Sequence, residues 1–160
     1  MGDGTRASSI VRSEVEWKTD TGAEGRRGDL QMSFSLTLAY WCVLVAVLLP
    51  YLCSYIAKAG AFRPRDNAKP REWLAAQTGW RARANGAQSN SFEGLPFFIG
   101  AVIIAHQLGA AQPRLDLLAA AYVLLRVVYI ALYVSGRSRA RSTVWALAFV
   151  VNVAILFVGR

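Results

Sequence analysis

Four apolar runs, each wholly or almost free of charge, limit what this chain can fold into. Residues 33–57, 94–113 and 142–159 contain no Asp, Glu, Lys or Arg, and the only charges between 115 and 134 are Asp116 and Arg126. A helix crosses the roughly 30 Å hydrocarbon core of a bilayer with about 20 mostly apolar residues. The runs are close to that length, so they predict an all-α membrane protein, a bundle of four transmembrane helices.

The composition supports this interpretation because apolar content and charge are both high. Hydrophobic residues make up 54% of the chain, yet its formal net charge is +8. Both values are explained if the apolar residues form the membrane spans and the charged residues lie in the connections between them. The first run is longer than the about 7–15 apolar residues of a signal peptide and ends in Tyr51, Tyr55 and Lys58, which are typical of a membrane interface. The predicted partner is a lipid bilayer, and no nucleic acid is expected.

The N-terminal segment differs from the rest of the chain. Residues 1–31 are rich in Gly, Ser, Thr and charges of both signs. Such a segment buries too little apolar surface to order itself. We predict a disordered extension over 1–31 and a four-helix transmembrane domain over 32–160. Because Met32 opens the first apolar run, it is a candidate for the true start of translation.

The distribution of Lys and Arg predicts the orientation. The predicted helices cover 33–58, 71–108 (with Pro96 as a candidate kink), 114–135 and 141–158, and a tight turn covers 136–139. Basic residues are concentrated in the first and third connections, at Lys58, Arg63, Arg65, Lys69, Arg71, Arg81, Arg83, Arg137, Arg139 and Arg141. Short loops rich in Lys and Arg stay cytoplasmic, so both termini are predicted to lie outside.

The cysteines and the histidine point to no separate chemistry. Cys42 and Cys53 are about 16 Å apart along one predicted helix, so they cannot form a disulfide with each other. We interpret them as small apolar residues, and His106 as an interfacial residue rather than a ligand. The sequence has no Rossmann, P-loop or zinc spacing, and no metal site is predicted.

Polar residues in the second predicted helix are more numerous than a plain membrane anchor needs. Arg83 and Asn90 are seven positions apart, which places them within about 20° of each other around a helix. Glu93 follows three residues after Asn90, on an adjacent row. Because Glu93 lies where the apolar run begins, its carboxylate is expected to face protein rather than lipid.

The third predicted helix carries a matching polar stripe. Tyr122, Arg126, Tyr129 and Tyr133 are spaced four, three and four positions apart, so they share one face. An Arg inside an apolar run needs a carboxylate or carbonyl partner, which predicts that the two stripes face each other, with Arg126 close to Glu93 either within one subunit or between subunits. Such a pair could simply join helices. Alternatively, the surplus of donors over acceptors could bind an anionic ligand open to the cytoplasm.

These residues resemble the signature of a known family. The spacing Arg83-x3-Ala87-x2-Asn90-x2-Glu93-x2-Pro96 is similar to a motif of the MAPEG family, the membrane-associated proteins in eicosanoid and glutathione metabolism. The next motif of that family is similar to Arg126-x2-Tyr129-x3-Tyr133 followed by Arg141-Ser142-x2-Trp145. The resemblance covers about residues 32–160 and is strongest to the bacterial branch.

The resemblance implies a homotrimer in the bacterial inner membrane, with glutathione as co-substrate between subunits near the cytoplasmic face. Arg83, Asn90 and Glu93 would hold the charged groups of glutathione, and Arg126, Tyr129 and Tyr133 would line the same pocket. Arg141 would lie near the sulfur as the catalytic residue, with Arg139 or Arg137 as alternatives. The implied activity is that of a glutathione-dependent transferase or peroxidase acting on hydrophobic electrophiles from the lipid phase.

Other functions stay open at this point. Some members of the family bind lipids or serve as scaffolds without catalysis, and Gly86 stands where several eukaryotic members have an Arg. A small multidrug transporter also has four helices, but its essential Glu lies in the first helix, and this first helix has no acidic residue. The apolar residues of the predicted pocket do not identify the electrophile.

Overall fold

The structure is a computed structural model that describes residues 36–159. These residues form four long helices, α1 (Leu38–Lys58), α2 (Gly79–Gln107), α3 (Gln112–Ser135) and α4 (Ser138–Phe157). A 3₁₀ helix (Pro64–Ala68) and a short α-helix (Pro70–Ala75) lie between α1 and α2. The described part contains no strand, which confirms the all-α class. The predicted extension over 1–31 and the proposed start at Met32 lie outside the described residues.

Three of the long helices within residues 36–159, namely α1, α3 and α4, are long and apolar enough to cross a membrane. Helix α2 differs because its first half is polar up to Glu93, and its last residues, His106 and Gln107, are polar again. The apolar stretch between them is shorter than the about 20 residues that a span usually requires. Three predicted spans are therefore confirmed, and the fourth stays a prediction.

The predicted start of the second helix near Arg71 is wrong. The short helix stops at Ala75, and Thr78 is extended, with φ −127° and ψ 174°. Gly79 follows with φ +60°, a backbone conformation that side chains with a Cβ rarely adopt. The chain therefore turns before α2 begins. Arg81 at the start of α2 then donates from Nη2 to the Ala59 carbonyl at 3.1 Å, which ties α2 to the end of α1.

Asp116 explains why a carboxylate interrupts the third apolar run. Its Oδ1 accepts from the Ala39 backbone N–H at 2.8 Å and from Gln112 Nε2 at 2.7 Å. The first N–H groups of a helix have no partner within that helix. Asp116 on α3 therefore satisfies the N-terminus of α1 and joins the two helices at this end of the bundle.

The turn between α3 and α4 is tighter than predicted. Gly136 has φ +81° and caps α3, with its N–H directed to the carbonyls of Leu132 and Tyr133. Helix α4 then begins at Ser138 rather than near 141. Arg141 accordingly lies near the start of α4, not in the turn, so its backbone position is fixed by the helix.

Helices α2 and α3 occupy the centre of the bundle. Each of them packs against both α1 and α4. Many of the buried residues are small, as is common where membrane helices approach closely; they include Ala39, Cys42, Ala46, Ala101, Ala105 and Ala119. Cys42 and Cys53 are buried and not in a disulfide, as expected. Large apolar side chains on the outer faces are exposed, as a surrounding of lipid or neighbouring subunits requires; they include Trp41, Leu48, Leu117, Leu124, Leu147 and Val150.

Candidate functional site

Arg126 is the centre of the polar cluster. Only 5% of this residue is exposed, and its guanidinium donates from Nη1 and Nη2 to Asn90 Oδ1 at 3.3 Å each. Nη2 also donates to Ser91 Oγ at 3.1 Å, and Cζ lies 4.6 Å from the centre of the Tyr129 ring. The expected carbonyl partner of Arg126 is thus the side-chain amide of Asn90, reached across the packing of α3 on α2.

Asn90 also connects Arg126 to Glu93. Its Nδ2 donates to Glu93 Oε2 at 3.4 Å, so the amide lies between the cation and the carboxylate. No salt bridge joins Arg126 and Glu93 within residues 36–159. The two stripes meet as predicted, but through a shared amide rather than by a direct ion pair. Glu93 is exposed in the single chain, so its expected contact with protein stays a prediction.

Tyr129 and Tyr133 extend the cluster towards α4. Their rings meet edge to face, with centroids 5.6 Å apart and an interplanar angle of 80°. The Arg141 Cζ lies 4.3 Å from the centre of the Tyr133 ring. A ring face attracts a guanidinium without neutralising its charge. Arg141 is therefore held in place while its full positive charge and its donors stay available to a ligand.

Gly86 provides the space that Tyr133 occupies. A Cβ added at Gly86 would lie 2.6 Å from Tyr133 Oη and 3.0 Å from its Cζ, closer than real side chains approach each other. The space beside Gly86 is therefore filled by the Tyr133 ring. The departure at Gly86 follows from packing between α2 and α3.

Replacing Gly86 with alanine should lower stability by about 1–3 kcal/mol, because the rigid Tyr133 ring must move. The measurement is thermal unfolding in detergent, followed by circular dichroism. Gly100→Ala is the matched control, since a Cβ at Gly100 in the same helix meets nothing within 4 Å. That variant should be neutral or slightly stabilising because alanine favours helix. Equal effects of the two substitutions would contradict the packing role of Gly86.

Arg83 is the predicted site residue that lies apart from the others. Its Nε donates to the Val134 carbonyl at 2.8 Å, near the C-terminus of α3. The last carbonyls of a helix lack partners within it, and a cation there is favourable. Arg83 lines neither of the two cavities described next. Its observed contact joins α2 to the end of α3.

Two cavities adjoin the cluster between α2, α3 and α4. The first has a volume of about 170 Å³ and is lined by Asn90, Glu93, Gly94, Phe97, Tyr122, Arg126, Trp145, Ala148, Phe149 and Asn152. The second has a volume of about 250 Å³ and is lined by Asn90, Tyr129, Tyr133, Arg141, Ser142 and Trp145. Asn90 and Trp145 belong to both walls, so the cavities are neighbours. The wall of the first cavity is mainly apolar, whereas that of the second is about equally polar and apolar; we call them the apolar and the polar cavity.

The charges around the cavities favour an anion. Arg126 lines the first cavity and Arg141 the second, and within residues 36–159 neither forms a salt bridge. Glu93 is the only carboxylate in either wall. In the described part of the chain, no three His, Cys, Asp or Glu side chains are placed to hold a metal ion. The arrangement suits a ligand with carboxylates or a thiolate and an apolar neighbour.

Most of the sequence-predicted site residues line one of the cavities: Asn90, Glu93, Arg126, Tyr129, Tyr133 and Arg141. Arg139 and Arg137, the alternatives to Arg141, are exposed and line neither cavity. The sequence interpretation missed Phe97, Phe149 and Asn152. A signal for Asn152 existed, because it is the only amide in the otherwise apolar run 142–159.

The comparisons with known proteins agree with the motifs. The family model described as MAPEG family matches residues 38–159, which include all four long helices and both cavities. Comparison with curated proteins and with solved structures finds no significant match. The matched region covers most of the 160 residues and contains three helices long and apolar enough to span a bilayer. The chain is therefore an integral membrane protein that belongs to the MAPEG family.

Proposed function

We propose that this protein is a glutathione-dependent transferase or peroxidase that acts on hydrophobic electrophiles within the membrane. The observation that carries the proposal is the pair of neighbouring cavities. The polar one contains the Arg141 guanidinium, and the apolar one has Arg126 at its edge. A polar thiol and an apolar electrophile need adjacent sites of these two kinds.

The polar groups fit the charges of glutathione. This tripeptide has two carboxylates, an ammonium group and a thiol. At the polar edge of the first cavity, Arg126 offers guanidinium donors to a carboxylate and Glu93 offers a carboxylate to the ammonium group, so glutathione reaches from this edge to Arg141 in the second cavity. Asn90 both donates and accepts, so it can contact backbone groups of the peptide. In this proposal Arg83 contributes its remaining donors from the edge of the cluster, while its Nε stays on α3.

Arg141 is the proposed catalytic residue. A free thiol has a pKa of about 8.5 and is mostly protonated at neutral pH, whereas the thiolate is the nucleophile. A guanidinium stays charged and stabilises a nearby thiolate. The sulfur then attacks an electrophilic carbon, a carbon–sulfur bond forms, and the leaving group departs with the electron pair of the broken bond. Both Tyr133, beneath Arg141, and Tyr129 line the same cavity.

The exposed side of Glu93 supports assembly into a homotrimer. A carboxylate facing hydrocarbon is costly, so its exposed side must meet water, headgroups or a neighbouring subunit. We place the basic connections in the cytoplasm, and both termini outside the inner membrane of a bacterium. The cluster then opens near the cytoplasmic face, where glutathione is supplied. The electrophile enters from the lipid, along the seam between subunits.

Calorimetric titration of the purified protein with glutathione tests the proposal. We expect saturable binding at or below millimolar glutathione, and conjugation of a nitro-activated aromatic chloride as test electrophile. Arg114→Ala is the control for general charge effects, because Arg114 is exposed at the α2–α3 end of the bundle. Absence of binding at millimolar glutathione would reject the proposal and favour the alternative, a non-catalytic lipid-binding or scaffold protein.

A further inference from the structure

Asn152 is a buried amide without a role in the cluster described above. Only 3% of this residue is exposed, and within residues 36–159 its Oδ1 has no hydrogen-bond partner. Buried polar groups in folded proteins are nearly always paired, so each exception requires an explanation. Asn152 also lines the first cavity. This oxygen is closed to water, so a donor in the cavity pairs with it when the amide turns about its Cβ–Cγ bond and presents Oδ1 to the cavity.

The position of Asn152 places this acceptor far from the thiol site. Trp145 belongs to the walls of both cavities, and Asn152 follows it by seven residues on α4. Two helical turns correspond to about 10 Å along the axis. The first cavity thus has an ionic end at Arg126 and Asn90, and an amide end at Asn152.

The walls between these ends are aromatic. Trp145 stacks on Phe149, with ring centroids 5.8 Å apart, and the centroid of the Phe97 ring lies 5.9 Å from that of Phe149. Aromatic side chains pack favourably against an aromatic ring in stacked or edge-to-face geometry. The volume of about 170 Å³ is also suitable, since an engineered apolar cavity of roughly 150 Å³ in another protein binds benzene.

We infer that the first cavity binds a ring-sized aromatic group carrying a hydroxyl, as in the phenols, with the hydroxyl on Asn152. A phenolic hydroxyl donates to the free Oδ1 and can also accept. The substituent opposite the hydroxyl then points to the end of the cavity at Arg126 and Asn90, beside the glutathione that these residues bind in the proposed function. Naming the cavity as the electrophile site rests on the proposed function, whereas phenol binding itself does not.

Fluorine NMR on the detergent-solubilised protein measures the binding of para-fluorophenol and para-fluorotoluene, which differ by a hydroxyl for a methyl group. We expect the wild type to bind the phenol about tenfold more tightly, as one hydrogen bond to a buried acceptor permits. Asn152→Leu keeps the volume and removes the acceptor. That variant should lose the preference and bind the toluene at least as well.

Ala148→Phe gives the probe signal expected without binding in the first cavity. Ala148 is buried in the wall of this cavity, so a phenylalanine at this position fills it. If this variant does not fold, protein-free micelles give the partition baseline. Equal affinities in the wild type for the two probes would overturn the inference, and so would a preference that survives in Asn152→Leu. Probe signals at the baseline for both compounds would show a cavity filled by water instead, and would overturn it as well.

Titration with glutathione separates this inference from the proposed function. Asn152 is absent from the wall of the polar cavity. It is also not among the residues assigned to glutathione, which are Arg83, Asn90, Glu93, Arg126 and Arg141. Asn152→Leu should therefore bind glutathione as the wild type does. Wild-type protein that binds the phenol but not glutathione would reject the proposed function and keep the cavity assignment. Protein that binds glutathione but shows no preference for the phenol would reject the cavity assignment and keep the proposed function.

Discussion

Arg126→Met is expected to weaken glutathione binding at least about thirtyfold while the helices stay folded. Removing one partner of a buried, hydrogen-bonded charged contact commonly costs about 2–5 kcal/mol of binding energy. Methionine is shorter but of roughly similar volume and carries no charge, so the variant loses the contact with the ligand's carboxylate while still filling most of the space. Calorimetric titration measures the affinity, and circular dichroism the fold.

Stability should change much less than affinity in this variant. A buried ion replaced by an apolar side chain of similar volume is often neutral or stabilising, because the cost of removing the charge from water disappears. Asn90 and Ser91 lose their partner, but Asn90 lines both cavities and can pair with water there. A large loss of stability would therefore indicate that Arg126 joins helices and does not primarily bind a ligand.

Two further substitutions sharpen the interpretation. Arg126→Lys keeps the positive charge but loses the contact of two nitrogens with Asn90 Oδ1, so intermediate affinity is expected. Arg114→Met removes an exposed cation far from the site and should leave affinity unchanged. If Arg126→Met keeps both the affinity and the fold of the wild type, the role assigned to this guanidinium is wrong.

The partner of Arg126 illustrates what the sequence could predict. A repeat of 3.6 residues per turn places Tyr122, Arg126 and Tyr129 on one face, and it is sufficient to predict that this face meets the polar run of α2. The choice between Asn90 and Glu93 depends on a small rotation of α2, since these residues are three positions apart. Periodicity does not determine such a rotation. Packing determines it, here through the contact of Gly86 with Tyr133.

The start of α2 shows a second limit of sequence patterns. Glu72, Leu74 and the following alanines are good helix formers, so the pattern predicts a continuous helix from 71. The interruption depends on the backbone at Gly79, where φ is +60°. A glycine inside a helical pattern is compatible with either result, and only the contacts of α2 with α1 decide it.

The apolar runs were more informative because they depend on composition alone. They predicted four spans, and the structure confirms three of these helices as long and apolar enough to cross a membrane. The sequence interpretation missed Asn152 because a single amide in an apolar run does not show whether its helix face is buried or exposed. The structure places it on the buried face of α4, together with Ala148 and Ile155. Its surroundings, not its residue type, make it a candidate ligand contact.

Arg141→Ala is expected to return the thiol of bound glutathione to its ordinary pKa. In the wild type we expect that pKa to be lowered by about two, which corresponds to about 2.7 kcal/mol of preference for the thiolate. Ultraviolet absorbance of the thiolate during a pH titration measures it directly. Conjugation at pH 7 should fall roughly twentyfold if the thiolate fraction limits the rate, because the thiolate is already the main species in the wild type and only a few per cent in the variant.

The direction of the pH dependence separates loss of charge from loss of binding. The thiolate exists above the pKa of the thiol, so wild-type activity should already be near its maximum at neutral pH. In Arg141→Ala, activity should rise as the pH increases through about 8.5 and approach the wild-type rate there. A variant that only binds glutathione more weakly would recover at high glutathione concentration instead, at every pH.

Neighbouring residues provide the matched variants for this test. Arg139 and Arg137 are exposed and lie within four positions of Arg141, so Arg139→Ala and Arg137→Ala remove a nearby charge outside the cavity. Both should leave the thiol pKa as in the wild type. Tyr133→Leu removes the ring beneath the guanidinium, and should raise the thiol pKa part of the way by loosening Arg141. If Arg139→Ala raises the thiol pKa and Arg141→Ala does not, the charge beside the sulfur belongs to Arg139, and α4 must unwind at its first turn to deliver it.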